Sequence, residues 1–314
     1  FCVYSSGTAA AEATSTHAVE CGDQVPTVRF ATSSGIAYFE GGGCATLTDM
    51  YSIQKGSGPL WVLDDKDNII DGGGGTPTGY WLLTMDLRVH DGVTLIMHGT
   101  SIGGDCDVLR IRSDEDGDGA YVSGYGGEHF HELRGHGGSL SFMNTKVTSW
   151  DTKNGVEQTT YEDGRSYINC VSEIMTGSTV GSDSTEDSPD DCDGAAKNDM
   201  GECRMDIIDS TMGNLGWFDS ESYGLTWKVR GFCKDLSNED VFDRVQVYGD
   251  IQGSEIYGMY YGMYSYGHQG GVWINNKMHD NILYGFDPHD DSDDLTITDN
   301  KVYGNGNHGE TNVK

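Results

Sequence analysis

Near the end of this chain a short pattern returns at a nearly fixed interval, and few folds accommodate such an interval. Ser254-Glu255-Ile256, Asn276-Lys277-Met278 and Asn300-Lys301-Val302 each place an apolar residue after two polar ones, and the apolar positions lie 22 and 24 residues apart. Met212 precedes Ile256 by 44 residues, twice the shorter interval. A recurrence of that length between short strands is the mark of a β-solenoid, in which residues one period apart become neighbours on adjacent coils. Asn and Asp at the repeat corners (Asp209, Asn276, Asn281, Asn300 and Asn305) suit left-handed turns and stacked side-chain ladders. The expected fold is therefore all-β, a single-domain parallel β-helix.

The rest of the chain agrees. Glycine occurs 46 times in 314 residues, about twice the ordinary ~7% share, while proline occurs five times. Many glycines without prolines mean tight turns between short strands. Leu60–Leu63, Tyr80–Leu83, Val93–Met97, Val108–Ile111 and Ser139–Phe142 read as strands bounded by Gly, Asp or Asn. Residues 1–59 read as a lead-in and 60–314 as the solenoid. The polar, acidic stretch 176–199, bracketed by Cys170 and Cys203 and containing Cys192, reads as a disulfide-tethered surface insertion.

Charge limits the partners. Fifty acidic residues against 19 basic ones give a net charge of −31. Phosphate binding needs clustered Lys and Arg, so nucleic acid is excluded as a partner. No apolar run approaches the ~20 residues of a membrane span. Eight dispersed cysteines without a C-x-x-C pair fit disulfides in an oxidising compartment, so a secreted, extracellular or cell-wall location is expected. The chain opens at Phe1 without a Met, which reads as a processed end, and no N-x-S/T sequon occurs.

The sharpest motif is Tyr284-Gly285-Phe286-Asp287-Pro288-His289-Asp290-Asp291. Residues 254–309, and with them 205–232 and more loosely 131–142, resemble the core of the algal and bacterial mannuronan C5-epimerases. Those proteins are right-handed parallel β-helices that convert β-D-mannuronate to α-L-guluronate within alginate. The resemblance implies an acidic polysaccharide (alginate or polymannuronate) as partner and an isomerase activity, with lyase activity as a near variant. It implies that His289 and Tyr284 form the proton-transfer pair and that Asp287 orients the site. The chemistry asks for such residues. A C5–H beside a carboxylate is weakly acidic, so the carboxylate must be neutralised while a base removes the proton and an acid returns one to the other face. Histidine titrates near neutrality, and Pro288 fixes φ between Asp287 and His289. From the residues alone, Asp287 and His289 share one face of an extended segment while Tyr284 takes the other. Read that way, Asp287 and His289 equally fit a simple turn and ladder cap.

One coil earlier, Tyr257–Tyr266 holds five tyrosines in ten residues. Tyr261, Tyr264, Tyr266 and His268 are expected to stand beside the motif as sugar-binding residues, since tyrosine faces suit pyranose rings. Lys228, Arg230 and Lys277 are the candidate carboxylate-screening cations. No cofactor is required on this reading. Asp114, Asp116 and Asp118, followed by Gly119, resemble the first half of a calcium loop, although Tyr125 stands where an EF-hand would place Glu; Ca2+ is a candidate ligand there against a solvated acidic turn. Family members continue for several coils beyond the histidine motif. A competing reading therefore makes the chain a structural subunit of an extracellular filament, its last apolar rung (Leu295, Ile297 and Val302) covered head to tail by a second copy.

Overall fold

The computed structural model describes residues 21, 23–31, 35–54, 58–71, 76–90, 92–114, 130–175, 201–218, 222–232, 245–306 and 308–310. Three sheets organise them. The first contains Ile36–Glu40, Asp86–Val89, Glu132–His136, Tyr167–Met175, Leu225–Phe232, Met263–Tyr266, Tyr284–Pro288 and His308–Glu310 in that spatial order. The second contains Gly43–Thr46, Val93–His98, Ser139–Met143, Met205–Ile208, Ile251–Gln252, Val272–Ile274 and Thr296–Thr298. The third contains Tyr80–Leu83, Val108–Arg112, Lys146–Asp151, Thr211–Gly213, Glu255–Tyr257, Lys277–His279 and Lys301–Tyr303. The chain visits the sheets in the same order on every coil, and neighbouring coils pair in parallel. Antiparallel pairing flanks the first coil, where Thr27–Ala31 lies on Ile36–Glu40 and Leu60–Leu63 on Tyr80–Leu83. Ile36–Glu40 and Gly43–Thr46 fall inside the expected lead-in of 1–59, yet they already pair with the coil above. The short helix Leu47–Gln54 buries Leu47, Met50 and Tyr51 against the same core.

The 22- and 24-residue offsets are rungs of the third sheet, in which Met212, Ile256, Met278 and Val302 stand in register. They form one of several apolar files stacked inside the coils. Leu87, Leu133, Ile168, Leu225, Met263 and Phe286 form another, and Phe142, Ile207, Ile251 and Trp273 a third. Alternation along each strand sends these residues inward and their neighbours outward.

Turning from one sheet to the next strands a backbone N–H at each corner, and a ladder of side chains meets it. Between the second and third sheets the N–H of Thr145 donates to Ser210 Oγ (3.2 Å), that of Ser210 to Ser254 Oγ (3.1 Å), that of Ser254 to Asn276 Oδ1 (2.9 Å) and that of Asn276 to Asn300 Oδ1 (2.9 Å). Each donor is accepted by the coil above. The left-handed residues sit one position earlier than the ladder: Asn144, Asp209, Asn275 and Asp299 have φ between 47° and 58°, and Gly253 has φ 61°. Of the corner residues singled out in the sequence, Asp209 thus makes the turn while Asn276, Asn281, Asn300 and Asn305 make ladders. The corner before the first sheet has a different device. The buried guanidinium of Arg165 donates to the carbonyls of Gly216 (2.8 Å), Leu215 (3.2 Å) and Gly258 (2.6 Å), tying successive corners together.

Cys170–Cys203 and Cys21–Cys44 are disulfides. Cys106 is a buried thiol, against the expectation of general pairing; its Sγ lies 3.3 Å from Thr145 Oγ1 at the foot of the corner ladder, and burial pushes its pKa up to about 12. Cys2, Cys192 and Cys233 and the acidic stretch 176–199 lie outside the described residues.

Two predictions follow from these ties. Cys170 and Cys203 close a loop of sequence separation 33, so replacing both by alanine should cost about 3–4 kcal/mol of unfolding free energy, measured by denaturant titration. On the outer face of the third sheet, Glu157 accepts from Lys146, Arg110, Asn214 and Tyr257. Burial raises its pKa, but the hydrogen bonds of Lys146 and Arg110 outweigh burial and hold it below the ordinary 4.5. A carboxylate so depressed stabilises the fold above its unfolded pKa and loses that contribution as pH falls through its folded value. Glu157→Gln should therefore be less stable than the wild type near neutrality, the difference shrinking as pH drops below 4.5.

Candidate active site on the first sheet

The motif Tyr284–Pro288 is the seventh-coil strand of the first sheet, and the strand Met263–Tyr266 lies beneath it in parallel. Phe286 points inward and stacks on Trp273 with centroids 5.8 Å apart and planes 4° off parallel. That anchor sends Asp287 to the outer face. Tyr264 is its partner one rung below, and Thr226 is the next. Asp287 is 2% exposed, whereas the side chain of His289 is 51% exposed, and His289 Nε2 stands 3.7 Å from Asp287 Oδ1. This separation is an ion-pair distance and longer than a hydrogen bond.

Backbone and hydroxyl contacts hold His289 in place. Its N–H donates to the Ser265 carbonyl (2.8 Å), Ser292 N–H donates to the His289 carbonyl (3.1 Å), and the hydroxyls of Ser265 and Ser292 meet at 2.9 Å, both buried. The Tyr264 ring lies 5.3 Å from the imidazole, centroid to centroid. Tyr284 sits at the corner, its ring 5.0 Å from that of Tyr261, which in turn lies 4.3 Å from Tyr223. Tyr223, Tyr261 and Tyr284 thus form a stack over successive coils, joined by the N–H of Tyr261 donating to the Tyr223 carbonyl (2.8 Å). Burial pushes Tyr261 up to about 12, with Tyr223, Tyr284 and Asp287 adding to it, and raises Tyr264 as well. Both hydroxyls keep their protons at neutral pH and serve as donors.

The structure brings together Tyr284, Asp287, His289, Tyr261 and Tyr264. Lys228 and Arg230 lie on the same sheet: Lys228 is paired with Tyr266, its ammonium 5.9 Å above that ring, and Arg230 is paired with Glu173. Burial lowers the Lys228 pKa, with Arg134 adding to the effect. Two expected residues are elsewhere. His268 is fully buried between Trp227 and Trp273, inside the coil, and burial lowers its pKa to about 3. The corner at Gly267, with φ 75°, has already turned the chain away from the groove. Lys277 is on the third sheet beside Glu255 (3.8 Å), because its strand belongs to a different side of the coil. Tyr257 is also there, lying over Gly213 and stacked on His279 (5.9 Å), which stacks in turn on Tyr303 (4.9 Å). Of the calcium candidates, Asp114 is engaged by Arg112 Nε (2.6 Å) and by Thr152 N–H and hydroxyl (2.7 and 2.6 Å); Asp116 and Asp118 lie outside the described residues. Among the described residues no group of three His, Cys, Asp or Glu is placed to hold a metal.

The sequence reading missed Tyr223 and the file beneath Asp287. Tyr223 escaped because its coil carries residues 233–244, which break the short interval. The file runs Arg88, Arg134, Asn169, Thr226, Tyr264, Asp287 over consecutive coils, with His90 and His136 alongside, their rings 4.9 Å apart. Glu132 accepts from Arg134 (2.6 Å) and Asn169 (2.8 Å), and His136 Nε2 meets Glu173 Oε2. Burial and the neighbouring His136 and Arg88 lower His90 to about 4, so it is neutral at pH 7. Among the described residues, the buried atoms Glu132 Oε2, Asn169 Oδ1, Thr226 Oγ1 and His136 Nδ1 meet no hydrogen-bond partner, a concentration of unmet polarity on one face.

No protein-family profile matches the chain. Over 98 residues, 31% of the chain, it is 39% identical to a mannuronan C5-epimerase of Pseudomonas fluorescens, of which the match covers 18%. Over 91 residues it is 34% identical to the mannuronan C5-epimerase AlgG of Azotobacter vinelandii, covering 17% of it. The crystal structure of the periplasmic alginate epimerase AlgG superposes with a TM-score of 0.53 at 19% identity, covering 86% of this chain and 49% of that one. The chain thus spans under a fifth of the curated relatives it matches and about half of the solved one. The YGFDPH strand thus lies in a fold that superposes on that structure, and over about a third of its length the chain is similar to mannuronan C5-epimerases.

Proposed function

We propose that the chain is part of a right-handed parallel β-helix that epimerises polymannuronate at C5, outside the cytoplasm. The observation that carries the reading is His289 standing 3.7 Å from Asp287 with the Tyr264 ring beside the imidazole, and Tyr284 reaching the same cluster through the ring of Tyr261. A half-exposed imidazole can reach a bound sugar, and the buried Asp287, its Oδ1 3.7 Å from His289 Nε2, orients the ring that takes the C5 proton. Tyr284, on the corner side of Asp287, supplies the hydroxyl that returns a proton from the other face. Lys228, half-buried against Tyr266, is the cation that offsets the substrate carboxylate, the step that makes the C5–H removable. Two disulfides and the likeness to a periplasmic enzyme support an oxidising compartment, and no helix among the described residues is long and apolar enough to cross a membrane.

The test is proton NMR of polymannuronate incubated with the protein in deuterated buffer. New guluronate signals with deuterium at C5 support epimerisation. Unsaturated chain ends would identify a lyase, and an unchanged polymer would favour the structural-subunit reading. His289→Ala should slow C5 exchange about a hundredfold or more while leaving the melting transition unchanged, since the ring it removes is half in solvent. Undiminished exchange would assign the base to another residue.

A further inference from the structure

The tyrosines do not stop at the proposed catalytic residues. Tyr260 lies 5.6 Å from Tyr261 and 5.2 Å from Tyr161, which stands on the short turn Tyr161–Asp163 two coils below. Tyr284, Tyr261, Tyr260 and Tyr161 therefore make an unbroken chain of rings, each 5.0 to 5.6 Å from the next, leading from the catalytic rung around the corner of the coil. None of these rings belongs to the core. In the same stretch Met259 and Met263 fill the interior, and the tyrosines stay partly exposed outside. A ladder built for packing alone would use phenylalanine or leucine there. The rings also carry uncommitted polarity: the hydroxyls of Tyr223, Tyr260, Tyr261 and Tyr264 make no hydrogen bond in the described structure. Partly exposed faces beside free, protonated hydroxyls match a pyranose, which offers C–H groups on its face and hydroxyls on its rim.

We propose that Tyr161 and Tyr260 form a pyranose-binding platform at the corner before the first sheet, holding sugar residues that flank the one positioned at His289. Sugar recognition here is by ring stacking and hydroxyls, so it is independent of the carboxylate-screening cations. The proposal rests on the polysaccharide reading of the catalytic face and extends the path of the chain beyond it. Among the described residues the Tyr161 ring meets that of Tyr260, and its hydroxyl bonds the neighbouring Glu162 at the surface, so its removal leaves the coil intact.

Calorimetric titration of the whole chain tests this, with a long oligomannuronate, its disaccharide and a neutral β-1,4-glucan oligosaccharide as probes. Tyr161→Ala and Tyr260→Ala should each weaken the long oligomannuronate about five- to tenfold. They should leave the disaccharide and the melting transition unaffected. Tyr161→Phe, which keeps the ring, should stay within about twofold of wild type. Tyr303→Ala, on the third sheet, is the control for loss of an exposed tyrosine. Wild-type affinity for the long oligosaccharide in both alanine variants overturns the platform. Binding of the neutral glucan but not the uronate, with the same loss in the variants, keeps the platform and overturns the polyuronate reading. A wild-type chain that binds neither overturns both.

Discussion

A backbone N–H at a corner has no strand to pair with and no water to turn to, and this architecture poses that problem on every coil. Between the second and third sheets the answer is a short side chain one coil above: Ser210 for Thr145, Ser254 for Ser210, Asn276 for Ser254 and Asn300 for Asn276. An unmet buried donor costs on the order of 1–3 kcal/mol, so each acceptor fixes the height of its coil over the one beneath. A slip of one residue would turn each apolar file outward. The ladder adds to that penalty, because the same slip would orphan a donor at every step. From that lock follow the stacking of Phe286 on Trp273, the outward aim of Asp287 and the meeting of Tyr264 with His289.

The net charge of −31 sits awkwardly with the proposed polyanionic substrate until it is resolved by side of the coil. Arg88, Arg134, Lys228 and Arg230 all lie on the first sheet, where Glu132 accepts from Arg134 and Glu173 is the strand partner of Arg230. On the third sheet the cations Arg110, Lys146 and Lys277 are matched to Asp67, Glu157 and Glu255. A screening length of about 8 Å at physiological salt lets the faces act separately, so the sum over the molecule says little about the groove.

Much of this was legible in the residues, and the losses are instructive. The apolar rungs Met212, Ile256, Met278 and Val302 are in register at the spacing the sequence displays, because those coils carry no insertion. Tyr223 was lost for the opposite reason. His268 and Lys277 lie within a period of the motif and were expected beside it; a period fixes height along the stack but says nothing of which side of the coil a residue faces. The corners decide that, and a corner is marked by a single left-handed residue such as Asn275 or Gly267, easily overlooked in a chain rich in Asn and Gly. The left-handed position and the ladder position are adjacent, which is why both were read as one.

Along the corner ladder the successive steps consume 65, 44, 22 and 24 residues, yet each raises the stack by one strand spacing of about 4.8 Å. Contour length and axial rise are decoupled. However many residues a coil carries, its ladder donor still meets the acceptor of the next coil. The proposed catalytic rung stands on the most economical coils, while the longest excursions belong to the coils below. Such a chain can lengthen or shorten a lower coil while the rung that carries His289 keeps its height over the one beneath.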